Sequence, residues 1–133
     1  MKAIADKYSD LFSGQKKAFA TIATLMPDGS PQATPVWFDM EGGRIRVNTA
    51  RGRTKARNMK PGAKVALAVI DPDNPYRYVQ VRGTVVKETE AGADGHIDSL
   101  AKKYLGQDKY LFRMPGEVRV IFEIEPFSVQ SNA

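Results

Sequence analysis

Four of the seven residues from Arg51 to Arg57 are arginine or lysine, in the order Arg51, Arg53, Lys55, Arg57. Guanidinium and ammonium groups at this density suit a phosphate or a carboxylate. A continuous helix would divide them, because Arg53 and Arg57 would share a face while Lys55 pointed almost opposite Arg53. Arg53 and Lys55 converge on one anion only if Arg53 lies in the loop before a helix, and Gly52 permits that loop. The helix N-terminus would then add free N–H groups and a positive dipole end. Asn48 and Thr49, at the end of the preceding strand, would add neutral donors. A solvated charged helix fits the same residues, and the pattern alone leaves both readings open.

Other candidates are spread along the chain. Trp37 and Phe38 follow Pro35 on a strand, so one ring must face away from the core. A ring beside a proline-broken ladder would suit a flat ligand. Core or dimer-interface aromatics are the plainer reading. Tyr76, Tyr78, Gln80 and Arg82 share one strand face, which suits a site, a subunit interface or solvent. Arg77 falls on the opposite face, near the strand start. His96 opens a helix and is expected at a cap or on the surface rather than in catalysis. With a single histidine and no cysteine, a Ser-His-Asp triad, a His-rich metal site and all thiol chemistry are improbable or excluded. No metal site is expected.

These residues need elements to position them. Ile4, Tyr8, Leu11 and Phe12 have the spacing of a short amphipathic helix. Strands are expected over 19–25, 32–40, 44–49, 64–70, 76–87 and 118–124, the last closed by Pro126. Short helices are expected over 54–60, stopped by Pro61-Gly62, and around Ile97, Leu100, Ala101 and Tyr104, ended by Gly106. Hairpin-length loops at Asp28-Gly29 and Gly42-Gly43 make the sheet mainly antiparallel. The expectation is a mainly β chain, one domain over 1–133, in which six strands close into a barrel flanked by two or three short helices. Apolar residues at 42% and charged residues at 26% argue against disorder. The longest apolar run, 65–70, is too short to span a bilayer, and Asp6 and Asp10 lie where a signal peptide needs apolar residues. A soluble, cytoplasmic protein is expected, with no membrane partner. The net charge of +5 favours an anionic partner.

The order of these features resembles the flavin/deazaflavin oxidoreductases of the split β-barrel, the superfamily of pyridoxamine 5'-phosphate oxidase. The resemblance is strongest to its small F420-dependent branch. It rests on Ala23-Thr24-Leu25, Asp28-Gly29-Ser30-Pro31-Gln32, Pro35-Val36-Trp37-Phe38 and Val47-Asn48-Thr49. It continues in Arg53-Thr54-Lys55-Ala56-Arg57-Asn58 and in Tyr78-Val79-Gln80-Val81-Arg82-Gly83-Thr84. It implies a six-stranded antiparallel split β-barrel and a homodimer with two cofactors at the interface. It places Arg53 and Lys55 on the cofactor phosphate, with Arg57 and Asn58 supporting that segment. Asn48 and Thr49 would line the phosphate and ribityl region, and Pro35, Val36 and Trp37 would pass the ring. Tyr76, Arg77 and Tyr78 would come from the partner subunit or the substrate side.

The resemblance implies hydride transfer from reduced F420 to a small unsaturated organic acceptor, with water or Tyr78 as proton donor. FMN is the alternative cofactor, in an oxidoreductase or a flavin carrier. The Arg-x-His pattern of vitamin B6 oxidation is missing, since residues 114–121 read Met-Pro-Gly-Glu-Val-Arg-Val-Ile. A basic nucleic-acid-binding barrel is the competing class, and Tyr76, Tyr78 and Arg82 only partly supply its stacking platform. No nucleic-acid partner is expected.

Overall fold

The computed structural model describes residues 6–14 and 16–131. Its seven strands form one antiparallel sheet in the order β2-β1-β5-β6-β7-β4-β3. They are β1 (Phe19–Leu25), β2 (Pro31–Val36), β3 (Phe38–Glu41), β4 (Arg44–Ala50), β5 (Lys64–Asp71), β6 (Asn74–Thr89) and β7 (Arg119–Ser131). The two outermost strands, β2 and β3, are consecutive in the chain and separated only by Trp37. Seven strands laid flat at about 4.8 Å spacing would put the edges roughly 29 Å apart. One residue advances the chain only about 3.3–3.6 Å. The sheet must therefore curl until its edges meet, and a covalent link rather than a hydrogen-bonded ladder closes the barrel. This is the split β-barrel, with seven strands instead of six because the expected strand over 32–40 breaks at Trp37.

The break sorts two neighbouring aromatics. Phe38 is fully buried in the barrel, whereas Trp37 packs outside it against Tyr104. The barrel core also takes Ile22, Ile45, Val47, Leu67, Val79, Val81, Phe122 and Ile124, alternating inward residues of β1, β4, β5, β6 and β7. A 3-10 helix over Asp6–Phe12 plugs one side with Tyr8 and Leu11. Ile4, expected on that helix, lies outside the described residues. Arg77 anchors the plug: its guanidinium contacts Asp10 at 2.5 Å, Asp71 at 2.8 Å and the Lys7 carbonyl. Both carboxyls are held below the usual aspartate range, Asp10 chiefly by its hydrogen bond with Arg77, Asp71 by the Asp73 backbone N–H and then Arg77.

Two helices lie outside the barrel. Helix α1 (Thr54–Asn58) stops short of the expected Lys60. Helix α2 (Ala93–Leu105) ends at Gly106, which takes a φ of 70° that favours glycine. Its residues Ile97, Leu100 and Tyr104 form a second apolar cluster with Trp37 and Tyr110. Strand β7 runs past Pro126 instead of ending there. The register passes from Arg82↔Ser128 to Gly83↔Pro126 and skips Phe127, a bulge that accommodates the missing proline N–H.

Gly83 sits at that bulge. A Cβ there would lie 2.6 Å from Ile124 Cγ2 and 2.9 Å from the Glu125 carbonyl oxygen. Gly83→Ala is expected to destabilise the fold by about 1–3 kcal/mol through overpacking. Denaturant unfolding reads this as a lower midpoint, and an unchanged midpoint would show that β6 and β7 separate freely there.

Candidate functional site

Closure at Trp37 brings the end of β2 beside the end of β4, because β3 pairs with β4 through Phe38↔Val47. A cavity of about 240 Å³ opens there. Phe19, Pro35, Val36, Trp37, Asn48, Thr49, Arg53, Lys55, Ile97, Tyr110, Phe112 and Arg119 line it. The structure thus gathers Pro35, Val36, Trp37, Asn48, Thr49, Arg53 and Lys55, which are far apart in sequence, around one space.

The basic segment adopts the geometry that convergence requires. Gly52 turns the chain with a φ of 91°. Arg53 is extended (φ −75°, ψ 150°), and the helix begins only at Thr54. Arg53 and Lys55 therefore both reach the cavity. With only five residues in α1, side-chain cations rather than aligned peptide dipoles supply the positive potential. Arg57 turns away, donating to the Gly52 carbonyl at 2.5 Å and to Thr54 Oγ1 at 3.4 Å. Asn58 donates to Thr24 Oγ1 at 3.0 Å. These two residues brace the segment from outside the cavity.

The cations are poorly compensated. Among the described residues Lys55 makes no hydrogen bond or ion pair, and burial, then Arg53 and Arg119, hold its pKa below the usual lysine value. Among the same residues the Arg53 side chain reaches only Glu117, at 4.0 Å. Arg119 is buried and donates to Glu117 Oε1 at 3.2 Å. Three cations against one carboxylate leave the site positive. The Thr49 hydroxyl, also buried, has no hydrogen-bond partner among the described residues. An unpartnered lysine and an orphaned hydroxyl lining one cavity both favour an anionic, hydrogen-bonding ligand.

Aromatic rings share the lining. Trp37 stacks on Tyr104 at 5.3 Å and 4°, and Tyr110 meets Trp37 edge-on at 6.0 Å. Tyr104 is fixed by donating to the Ala18 carbonyl at 2.6 Å, and burial pushes its phenol up to about 12. Phe19 and Phe112 extend this wall to the mouth, where both are exposed.

Tyr76, Arg77 and Tyr78 lie elsewhere, at the start of β6. Arg77 is engaged by Asp10 and Asp71, and the two tyrosines are exposed. Sequence reasoning did not single out Phe19, Ile97, Tyr110, Phe112 or Arg119 as site residues. For Arg119 the sequence carries a signal: Val120, Phe122 and Ile124 alternate as apolar residues of β7, which sets Arg119 on the other face.

His96 departs from expectation, because it is buried rather than at a cap or on the surface. Its Nε2 lies 3.0 Å from Asp39 Oδ1 and its Nδ1 3.0 Å from Asn48 Nδ2. Asn48 also donates to the Ala93 carbonyl at 2.9 Å and accepts from Arg119 Nε at 2.9 Å. The Asn48 amide lines the cavity with all three of these bonds made to the protein. Burial would raise the Asp39 carboxyl, but hydrogen bonds from His96 and Arg46 hold it below its ordinary 3.8.

The family described as pyridoxamine 5'-phosphate oxidase matches residues 4–132. Among solved structures, one described as an F420 reductase is 33% identical with a TM-score of 0.80, covering 96% of this chain and 98% of that one. General Stress Protein 26 from Bacillus anthracis strain Sterne is 18% identical with a TM-score of 0.64, covering 95% and 91%. An FAD and heme binding protein from Mycobacterium smegmatis is 18% identical with a TM-score of 0.63, covering 92% and 66%. The last two share the fold alone. No curated protein matches the chain.

Two outcomes are expected from this geometry. Lys55→Met should raise the stability of the cofactor-free protein by about 0.5–1 kcal/mol, a gain typical of relieving a functional site. A melting curve checks this, and a lower melting temperature would mean that Lys55 has a structural partner. The lowered Asp39 carboxyl adds stability that is complete above 3.8 and lost as pH falls through its lower folded value. Asp39→Asn should therefore unfold less steeply with acid below about pH 3.8 than the parent.

Proposed function

The chain belongs to the pyridoxamine 5'-phosphate oxidase family, a family of flavin-type oxidoreductases, and on that premise we propose that it is an F420-dependent reductase acting on a small unsaturated organic acceptor. The observation that carries this reading is the pairing of an uncompensated cation cluster with an aromatic wall in one cavity. Such a site fits a ligand with a phosphate at one end and a flat ring at the other. The neighbour described as an F420 reductase supports deazaflavin over flavin. Arg57 and Lys60 line another recess, shared with Glu88 and the Arg51 that Glu88 and Glu90 already pair, and these two cations would suit further acidic groups on the same ligand.

When bound, the reduced deazaflavin supplies a hydride, and the protein supplies position and electrostatics. Arg53 and Lys55 would hold the phosphate, and the Thr49 hydroxyl would find a partner that the described residues do not give it. Pro35 and Val36 would line the ring's place, and Trp37, stiffened by its stack on Tyr104, would limit its position. Phe19, Tyr110 and Phe112 keep water from the acceptor side.

The working unit in this reading is a homodimer. The outer face of the sheet carries Ala33, Ala23 and Ala66 side by side across β2, β1 and β5. Phe19, Ile70 and Tyr78 stand side by side across β1, β5 and β6, all exposed. Small residues let a second sheet approach, and the exposed apolar row gains by burial. Phe19 joins that row to the cavity, so a partner would border the site. Tyr78 in the row is the candidate proton donor, or water serves.

Titration of the purified protein with F420 and with FMN tests this. Tight F420 binding and weaker FMN binding are expected, with Arg53→Ala and Lys55→Ala each losing about tenfold or more in affinity. Preference for FMN would make the protein a flavoprotein, and parent-like affinity in both variants would remove the phosphate assignment. Sedimentation should give a dimer, and a monomer that binds cofactor with parent affinity would remove the shared site.

A further inference from the structure

The arginine of the cavity that the basic motif does not include is Arg119, held by an unusual set of bonds. Its Nε donates to Asn48 Oδ1 at 2.9 Å and its Nη1 to Glu117 Oε1 at 3.2 Å, and its guanidinium lies 5.1 Å from the Tyr110 ring centre. Among the described residues, Nη2 makes no hydrogen bond. Asn48 cannot be flipped without facing its oxygen to the Ala93 carbonyl and its amide to the Arg119 donor. Its amide N–H therefore points at His96 Nδ1, which must accept. The His96 proton then sits on Nε2 and is donated to Asp39. Asp39 is in turn clamped by Arg46 through Nε at 2.9 Å and Nη2 at 2.6 Å.

Every donor in this chain points the same way, from Arg119 through Asn48 and His96 to the Asp39 carboxylate. Bonds aligned so polarise one another. The negative end is neutralised by Arg46 away from the cavity, and the positive end is Arg119 in the cavity wall. We propose that Arg119 is a third anion-binding residue of the site and that Asn48, His96 and Asp39 are positioning residues that fix its guanidinium toward the ligand. This rests on the reading of the cavity as a cofactor site and extends it to residues outside the basic motif. The same chain explains a buried histidine that no acid-base step requires.

The test is a titration of parent and variants with F420, FMN and inorganic pyrophosphate, read by fluorescence and calorimetry, with circular dichroism following the fold. Arg119→Gln should lose about ten- to a hundredfold in affinity for whichever probe binds the parent. His96→Leu, which cuts the chain, should lose part of that. His96→Gln offers an acceptor and an N–H as the neutral imidazole does, and should return to within about twofold of the parent. The double variant of His96→Leu and Arg119→Gln should lose no more than Arg119→Gln alone. If His96→Leu does not fold, Asn48→Asp replaces it, keeping the acceptor for Arg119 and losing both donors. Unchanged affinity in Arg119→Gln overturns the anion-binding role, and additive losses or no rescue by His96→Gln overturn the positioning role. A parent that binds pyrophosphate through Arg119 but neither cofactor upholds this inference and removes the cofactor reading. A parent that binds cofactor with Arg119→Gln unaffected does the reverse, and one that binds no probe removes both.

Discussion

The structure depends on one covalent constraint: the first and last strands of the sheet are joined through a single residue, Trp37. The sheet cannot lie flat and keep that bond. Curling it creates a core for Phe38 and leaves the Trp37 ring no place inside, so that ring packs on α2. It also brings Val36 of β2 to the same cavity as Asn48 and Thr49 of β4, strands that four others separate in the hydrogen-bonded order. The cavity is thus a by-product of closure, sited where two strand ends meet without a ladder between them.

What fills that space is an electrostatic imbalance. Several arginines elsewhere on the molecule are neutralised by two carboxylates each, as with Arg77 between Asp10 and Asp71 or Arg51 between Glu88 and Glu90. At the cavity, Lys55 has no such partner among the described residues, and Glu117 is shared between Arg53 and Arg119. Cations gathered in a half-buried recess with one carboxylate among them are held at a cost in the fold's own stability. Binding an anion offsets that cost, which is why the proposed ligand carries its charge at that end.

Much of this was legible before any coordinates. Alternation in residues 44–49 marks a strand with one buried face, while 19–25 reads as a strand from its Thr, Ile and Phe and 64–70 from its apolar run. The placement of Arg53 before the helix followed from the need for two cations to converge. The break at Trp37 was not legible, since a strand pattern continues unbroken through Pro35-Val36-Trp37-Phe38 and only tertiary closure interrupts it. Pro126 misled for a related reason: a bulge against Gly83 lets β7 continue past a residue that normally ends a strand. His96 and Arg119 were invisible as partners because the chain linking them joins β3, α2, β4 and β7, and no local spacing encodes that meeting. Tyr110 and Phe112 come from a loop whose path no periodicity fixes.

A barrel closed by covalent linkage still exposes two strand edges. β2 presents Pro31 and Pro35, which have no N–H to offer a passing strand. β3 has only four residues, and Asp39 and Glu41 on it are both bound to Arg46. Edges that are short, charged and deficient in donors are poor templates for adding foreign strands. The feature that opens the cavity therefore also guards against fibrillar self-association: the gap stays accessible to a small ligand while being a weak seed for β-aggregation.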